Sequence, residues 1–283
     1  MKEILVISGK GGAGKTALSS SFISLVDKCI ACDYDVDASN LPILLKPNIK
    51  KEHEYSGAET AVIKKEQCIE CGLCSELCRF DAIEEFKVND LLCEGCAFCS
   101  RICPTNAIYM TSVSSGKWFE SISEENKLTF YGELRPGEEN SGKLVAQIKQ
   151  AAIKKSDEKN IPLIISDGSP GIGCSVISSL VGVNLVVLVA EPNISGFHDM
   201  KRVYELVEKY NIKTTLIINK YDLNEVLTKE IEKWAINYNI KLLGKIPFSL
   251  DIVDQLSNTK IPVYNPKIYK IIKPIWDEVM AQI

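Results

Sequence analysis

Near its start the chain carries Gly9-Lys10-Gly11-Gly12-Ala13-Gly14-Lys15-Thr16, and this order of glycine, lysine and hydroxyl suits one chemistry. The glycines let backbone N–H groups turn inward onto phosphate oxygens, and the positive end of a following helix strengthens the field. Lys15 then reaches the β- and γ-phosphates, and the Thr16 hydroxyl ligates Mg²⁺. A second constellation is Cys68-x-x-Cys71-x-x-Cys74-x-x-x-Cys78, followed by Cys93-x-x-Cys96-x-x-Cys99-x-x-x-Cys103-Pro104. The second run repeats the first at an offset of 25, and Asp81-Ala82-Ile83 recurs as Asn106-Ala107-Ile108. Such short spacings wrap three thiolates around one face of a [4Fe–4S] cubane. Two structural Cys₄ zinc sites are the competing use of eight thiols, and the tandem spacing weighs against them.

Acidic residues sit where a Mg²⁺-phosphate site needs them. Asp33-Tyr34-Asp35-Val36-Asp37 follows a short predicted strand, 29–32, at the carboxyl edge where parallel sheets bind ligands. The apolar run Leu163-Ile164-Ile165 ends in Ser166-Asp167-Gly168-Ser169-Pro170-Gly171. That places Asp167 to hold Mg²⁺ through water, ahead of a mobile glycine loop. Asp37 receives no role. Cys29 and Cys32 fall in an apolar strand pattern and read as buried, inert thiols. Cys174 reads as a buried or merely reactive thiol.

The elements that position these residues alternate strand and helix. Ile4 to Ile7 leads into the glycine loop, and a helix follows from Ala17 to Val26. Residues 46–60 are polar and read as a linker. A strand is expected at 128–131, and Pro136 to Lys143 opens a helix running to about Lys155. Further strands are expected at 183–190, 215–218 and 242–247, with Ser195 capping the helix between the first two. The His198-Asp199 pair at that helix start reads as surface. A final helix from about Pro266 carries an apolar stripe at Ile268, Ile271, Ile272, Ile275 and Val279 and is expected to pack on the core. The pattern predicts a doubly wound parallel α/β sheet, domain 1–58 plus 114–283, with a second α+β domain inserted at 59–113.

Composition agrees with a globular chain: 283 residues, 46% apolar, 25% charged, net charge −4. That charge gives no reason to expect nucleic acid. The longest apolar run, Leu180 to Ala190, is too short for a bilayer, and no signal peptide is visible, so a cytoplasmic location and no membrane partner are expected.

The second lysine of the loop, Lys10, carries a resemblance. Gly9-Lys10-Gly11-Gly12-Ala13-Gly14-Lys15-Thr16 is similar to the deviant Walker A signature of the MinD, ParA, Mrp-type and nitrogenase iron-protein ATPases. That resemblance implies an ATP-dependent dimer, as a homodimer or with a similar subunit, in which Lys10 completes the partner's nucleotide site. It implies that Asp33 lies near the Mg²⁺ shell and that Asp35 orients the attacking water. It also implies that Asn219 reads the adenine edge while the loop through Pro247, Phe248 and Asp251 covers the base. The full set around ATP is then Gly9 to Thr16 with Ala17 behind them. The cysteine runs resemble the bacterial two-cluster ferredoxin, in which the fourth cysteine of each run crosses to the other cluster. By that resemblance Cys68, Cys71, Cys74 and Cys103 hold one [4Fe–4S] cluster, and Cys93, Cys96, Cys99 and Cys78 the other. Arg79 departs from the pattern, standing where proline is usual. Segments like Pro136–Lys143 occur in MinD-type ATPases with an inserted ferredoxin. The function implied is ATP-gated electron transfer to a redox partner protein. The alternatives are a cluster carrier of the Mrp type, which lacks its C-terminal C-x-x-C here, and a positioning ATPase like MinD and ParA.

Overall fold

The computed structural model describes every residue except Glu139, which falls inside the Pro136–Lys143 segment singled out above. Two compact units account for the chain. One comprises Met1–His53, Trp118–Glu133 and Ser141–Ile283, the other Glu54–Lys117 with Leu134–Asn140. The cysteine-bearing unit is therefore broader than its motifs alone suggest.

In chain order the strands are β1 (Lys2–Ser8), β2 (Ile30–Asp33), β3 (Asn48–Tyr55), β4 (Ala58–Ile63), β5 (Ile83–Glu84), β6 (Lys87–Val88) and β7 (Ile108–Val113). They continue as β8 (Gly116–Ile122), β9 (Leu128–Leu134), β10 (Leu163–Pro170), β11 (Leu185–Ala190), β12 (Lys213–Asn219) and β13 (Lys241–Ile246). The helices are α1 (Lys15–Ser24), α2 (Leu41–Leu45), α3 (Leu73–Glu76), α4 (Phe98–Ile102) and α5 (Ser141–Lys159). Then follow α6 (Cys174–Leu180), α7 (Ile194–Lys209), α8 (Glu225–Asn237), α9 (Leu250–Ser257) and α10 (Pro266–Met280).

The main sheet runs β13-β12-β11-β1-β10-β2-β9-β8-β3, and every pair from β13 to β9 is parallel. Strands covered on both faces must be apolar throughout, and β11 is buried at all its positions. The sheet is not wholly parallel. The short 123–127 link between β8 and β9 permits only an antiparallel hairpin, because a parallel crossover needs a dozen residues or more.

The expected linker at 46–60 is corrected by β3, an edge strand that continues almost to β4. Its residues are nearly all exposed, Lys50, Lys51 and Glu52 among them. No burial pattern marks such a strand, since charged side chains are what keep an edge from pairing with other molecules. Its inner end is pinned by His53, whose ring stacks on Trp118 with centroids 3.8 Å apart. β8, which supplies Trp118, was likewise absent from the predicted strands.

One helix cap differs from expectation, and the last helix agrees with it. α7 is capped by Asn193, whose side chain accepts from Gly196 N at 2.7 Å, and not by Ser195. α10 starts at Pro266 behind the Asn265 cap and buries Ile268, Ile272, Ile275, Trp276 and Val279 in the core; Ile271 is half-buried against it. Among the described residues no helix is long and apolar enough to cross a membrane.

The second unit is built twice over. Its backbone carries left-handed residues at Glu70, Gly72 and Asp81, and again 25 positions later at Gly95, Ala97 and Asn106. Cys68 N donates to Lys64 O at 3.1 Å, and Cys93 N to Asn89 O at 3.1 Å. Two further bonds exchange the halves: Lys64 N to Ala107 O and Asn89 N to Ala82 O, both 2.8 Å. This is the signature of a local pseudo-two-fold axis. β4 and β7 form the unit's outer antiparallel pair, from Ala58 opposite Val113 to Ile63 opposite Ile108.

Candidate functional site

Parallel register assembles the first site. β10 lies between β1 and β2, pairing Val6 with Asp167 and Asp167 with Asp33. The two aspartates thus stand side by side toward the carboxyl edge of the sheet, Asp33 as the last residue of β2 and Asp167 three residues before the end of β10. The glycine loop leaves β1 beside them, with Gly12 at φ 81° and Gly14 at φ 95°. Gly14 also has no room for a side chain, since a Cβ there would lie 2.3 Å from Asn219 Nδ2.

Both loop carbonyls nearest the helix are occupied from behind. Asn219 Nδ2 donates to Ala13 O at 2.8 Å, and Lys220 Nζ donates to Gly12 O at 3.1 Å. With these carbonyls held outward, the intervening N–H groups are left to face an anion. Lys220 is itself left-handed at φ 55° and is also paired with Glu191 at 3.2 Å. The sequence reading passed over Lys220. Its one local signal is its place directly after Asn219 at a strand end.

Lys15 is buried, and Thr16 Oγ1 donates to Asp167 Oδ2 at 2.5 Å. The other oxygen, Asp167 Oδ1, is buried with no hydrogen-bond partner. Asp33 is fully buried and accepts from Asp35 N, Ser39 Oγ and Leu41 N at 2.8–3.0 Å. Burial first, and the neighbouring Asp167 second, push Asp33 up to about 8. Burial also raises Asp167, against the pull of Lys15 and the Thr16 hydroxyl. Two adjoining buried carboxyls of this kind resist ionising together until a cation joins them. The orphan Oδ1 beside the Thr16 hydroxyl is where the donor set fits Mg²⁺.

A cleft of about 870 Å³ opens over these groups. Gly11, Gly12 and Gly14 to Ala17 border it on one side, and Asp35, Asp37, Ser141, Cys174 and Ser175 are among its other walls. Asp35 is pushed up to about 6 by burial, against the pull of Lys15. Cys174 is exposed here, whereas Cys29 and Cys32 are buried, Cys29 pushed up to about 12 by burial. Ser141 belongs to α5, whose Gly142 would place a Cβ 2.8 Å from Cys174 O.

The remaining predicted residues lie elsewhere in the same unit. Lys10 Nζ donates to Ser195 Oγ at 3.2 Å, on the surface. Gly9 packs against the start of α7, where a Cβ would meet Met200 N at 2.3 Å. His198 is exposed, 3.4 Å from Asp199. Asn219, Pro247, Phe248 and Asp251 do not border the cleft. Phe248 N donates to Asp222 Oδ1 at 2.6 Å, and Asp251 pairs with Lys267 at 3.3 Å.

The second unit holds two cavities of its own. One is bordered by Cys74, Cys78, Cys93, Cys96 and Cys99. The other is bordered by Cys68, Cys71, Cys74 and Cys103. None of the eight thiols is in a disulfide. Among the described residues no three His, Cys, Asp or Glu side chains converge closely enough for one metal ion. The thiols are instead spread along the walls of the two cavities. Left-handed Glu70 and Ala97 lie inside the Cys-x-x-Cys turns, a conformation uncommon for side-chain-bearing residues that gathers N–H groups into an anion-facing concavity. Cys103 Sγ accepts from Ala107 N at 3.3 Å.

Comparison with known proteins bears on the family and the fold. The model of the CobQ/CobB/MinD/ParA nucleotide binding domain matches residues 4–263. An uncharacterized protein of Methanocaldococcus jannaschii is 36% identical over 281 residues, 98% of this chain and 95% of the relative. A second one from that organism is 29% identical, covering 90% of both chains. The septum site-determining protein MinD from Pyrococcus horikoshii, solved with Mg-ADP, aligns at a TM-score of 0.59 with 17% identity, over 98% of this chain and 95% of that one. An ATP complex of a variant of Cyanothece McdA aligns at 0.61 with 15% identity, over 99% and 96%. At such identities the likeness to solved structures is one of fold. Of the readings drawn from the sequence, these matches favour the MinD/ParA-like ATPase above iron–sulfur electron transfer.

Proposed function

Because the chain belongs to the CobQ/CobB/MinD/ParA nucleotide-binding family, we propose that it is a MinD/ParA-like Mg-ATPase whose cysteine unit carries two [4Fe–4S] clusters. The observation that supports the ATPase is the Thr16–Asp167 pair, with one buried carboxylate oxygen left over beside a glycine loop. Loop N–H groups and Lys15 bind the β- and γ-phosphates. Thr16 and Asp167 hold Mg²⁺, with Asp33 behind them, and Asp35 orients water from across the cleft. Lys10, on the surface in a single chain, reaches the nucleotide of a second copy, so that ATP closes a dimer and hydrolysis reopens it.

Support for the second half comes from the grouping of thiols around two cavities, one with Cys68, Cys71, Cys74 and Cys103, one with Cys78, Cys93, Cys96 and Cys99, Cys74 bordering both. When bound there, the clusters supply one-electron transfer, and the state of the nucleotide governs delivery to a redox partner. The MinD/ParA likeness of family and fold also supports a positioning ATPase, one that does not dock through α10, whose apolar stripe is buried in the core. A cluster carrier is disfavoured because no cysteine follows Cys174.

The test is the EPR spectrum of anaerobically purified, dithionite-reduced protein with and without Mg-ATP, beside ATPase rates for the wild type and Lys15→Ala. Nucleotide-sensitive cluster signals that Lys15→Ala abolishes are expected. Clusters indifferent to ATP would leave the ATPase standing and end the coupling. Protein that binds zinc in place of iron after reconstitution would end the electron-transfer reading altogether.

A further inference from the structure

The two cysteine cavities repeat in backbone and thiols but not in charge. At the offset of 25, Arg79 corresponds to Pro104. Arg79 borders the cavity of Cys78, Cys93, Cys96 and Cys99, which Glu94 also borders. Pro104 borders the cavity of Cys68, Cys71, Cys74 and Cys103, whose walls contain no charged side chain apart from the cysteines themselves. That second cavity has a different device, the Ala107 N–H on Cys103 Sγ, with Thr105 Oγ1 at 3.7 Å.

We propose that Arg79 makes the two cluster sites redox-inequivalent, raising the potential of the one cluster held by Cys78, Cys93, Cys96 and Cys99. The inference rests on the iron–sulfur reading above. Reduction adds one electron, and hence one negative charge, to a core already surrounded by four thiolates. The positive charge of a residue bordering the cavity stabilises the reduced form more than the oxidised one, and unlike a titrating group a guanidinium keeps its charge at every working pH. Glu94, on the same wall, acts with the opposite sign. Arg79 is exposed, so water screens part of the effect. An electron entering the unit therefore settles by preference on a cluster chosen by this residue.

The experiment is a mediated redox titration of the full-length, iron-reconstituted protein, reduced with dithionite and followed by EPR. Cys96→Ser and Cys103→Ser identify which signal belongs to which cavity. In Arg79→Gln, the reduced-to-oxidised ratio of the Cys96-side cluster at a fixed potential is expected to fall about threefold to tenfold, the larger figure corresponding to 59 mV for one electron. Arg79→Lys restores most of it, Glu94→Gln shifts the same cluster the opposite way, and the Cys103-side cluster stays in place. Iron and sulfide at about eight each per chain with neither potential moved would overturn this inference alone. So would equal movement of both clusters, or movement of the Cys103-side cluster only. Absence of iron and sulfide would overturn the iron–sulfur reading together with it.

Discussion

Lys220 Nζ lies 3.1 Å from the carbonyl oxygen of Gly12, two strands away from the one that launches the glycine loop. The same ammonium meets Glu191 Oε2 at 3.2 Å. A carbonyl captured from outside cannot turn toward the phosphates, so the loop's donors are arranged before any ligand arrives. Charged hydrogen bonds of this type contribute about 1.5–3 kcal/mol when buried, and less at this half-exposed site. Lys220→Met is therefore expected to weaken Mg-ATP binding about fivefold to tenfold, with a smaller change in the maximal hydrolysis rate. Titration calorimetry on the variant checks it, and an unchanged affinity would mean the brace is idle.

Asp33 gives the apo protein a pH dependence. Its folded value of about 8 stands above the ordinary 3.8. Between those limits the folded state retains a proton that the unfolded state has released, so stability falls as pH rises. Asp167 is shifted the same way. In EDTA the melting temperature should be higher at pH 5 than at pH 8, and Mg-ADP should recover more at pH 8. A flat apo profile across that range would show that the pair is not protonated as inferred.

Lys10 is held on the surface by Ser195. If it serves a second copy, Lys10→Ala leaves nucleotide affinity within about threefold while hydrolysis drops by about a thousandfold, the scale of a charge supplied in trans. Mixing Lys10→Ala with Lys15→Ala chains should restore part of the rate, because each lacks what the other provides. Failure of that complementation, with hydrolysis by Lys10→Ala intact, would place the whole reaction within one chain.

Gly95 and Glu70 occupy equivalent places in the cysteine repeat, both left-handed, at φ 62° and φ 56°. A Cβ on Gly95 would sit 2.4 Å from Glu59 O, so Gly95→Ala meets both strain and backbone. It should lower iron content and unfold the cysteine unit while leaving Mg-ATP affinity near that of the wild type. Glu70→Gly removes a strain of about 1 kcal/mol and should be tolerated. Equal tolerance at both positions, read by circular dichroism and iron analysis, would contradict this asymmetry.

What could be read from residues alone was the chemistry concentrated in short runs. Gly9 to Thr16 and the eight cysteines announce themselves because their spacing is itself the signal, and β11 because a strand buried on both faces must be apolar. Lys220 and Ser39 were missed, since each acts on a residue or loop brought near only by folding. β3 was missed for the opposite reason: an edge strand protects itself with Lys50, Lys51 and Glu52, the very residues that make a segment look unstructured. Ser195 looked like the cap of α7, yet Asn193 two residues earlier has the side-chain carbonyl that reaches Gly196 N.

The pairing of Ala58 with Val113 closes the stretch that carries all eight paired-run cysteines. Its two ends are antiparallel neighbours within the unit, no farther apart than the ends of a hairpin. Loop-closure entropy depends on that end separation far more than on the length enclosed. The fifty-odd residues between Ala58 and Val113 are therefore closed at their base as a surface hairpin is, and their number adds little to the entropy of closing them.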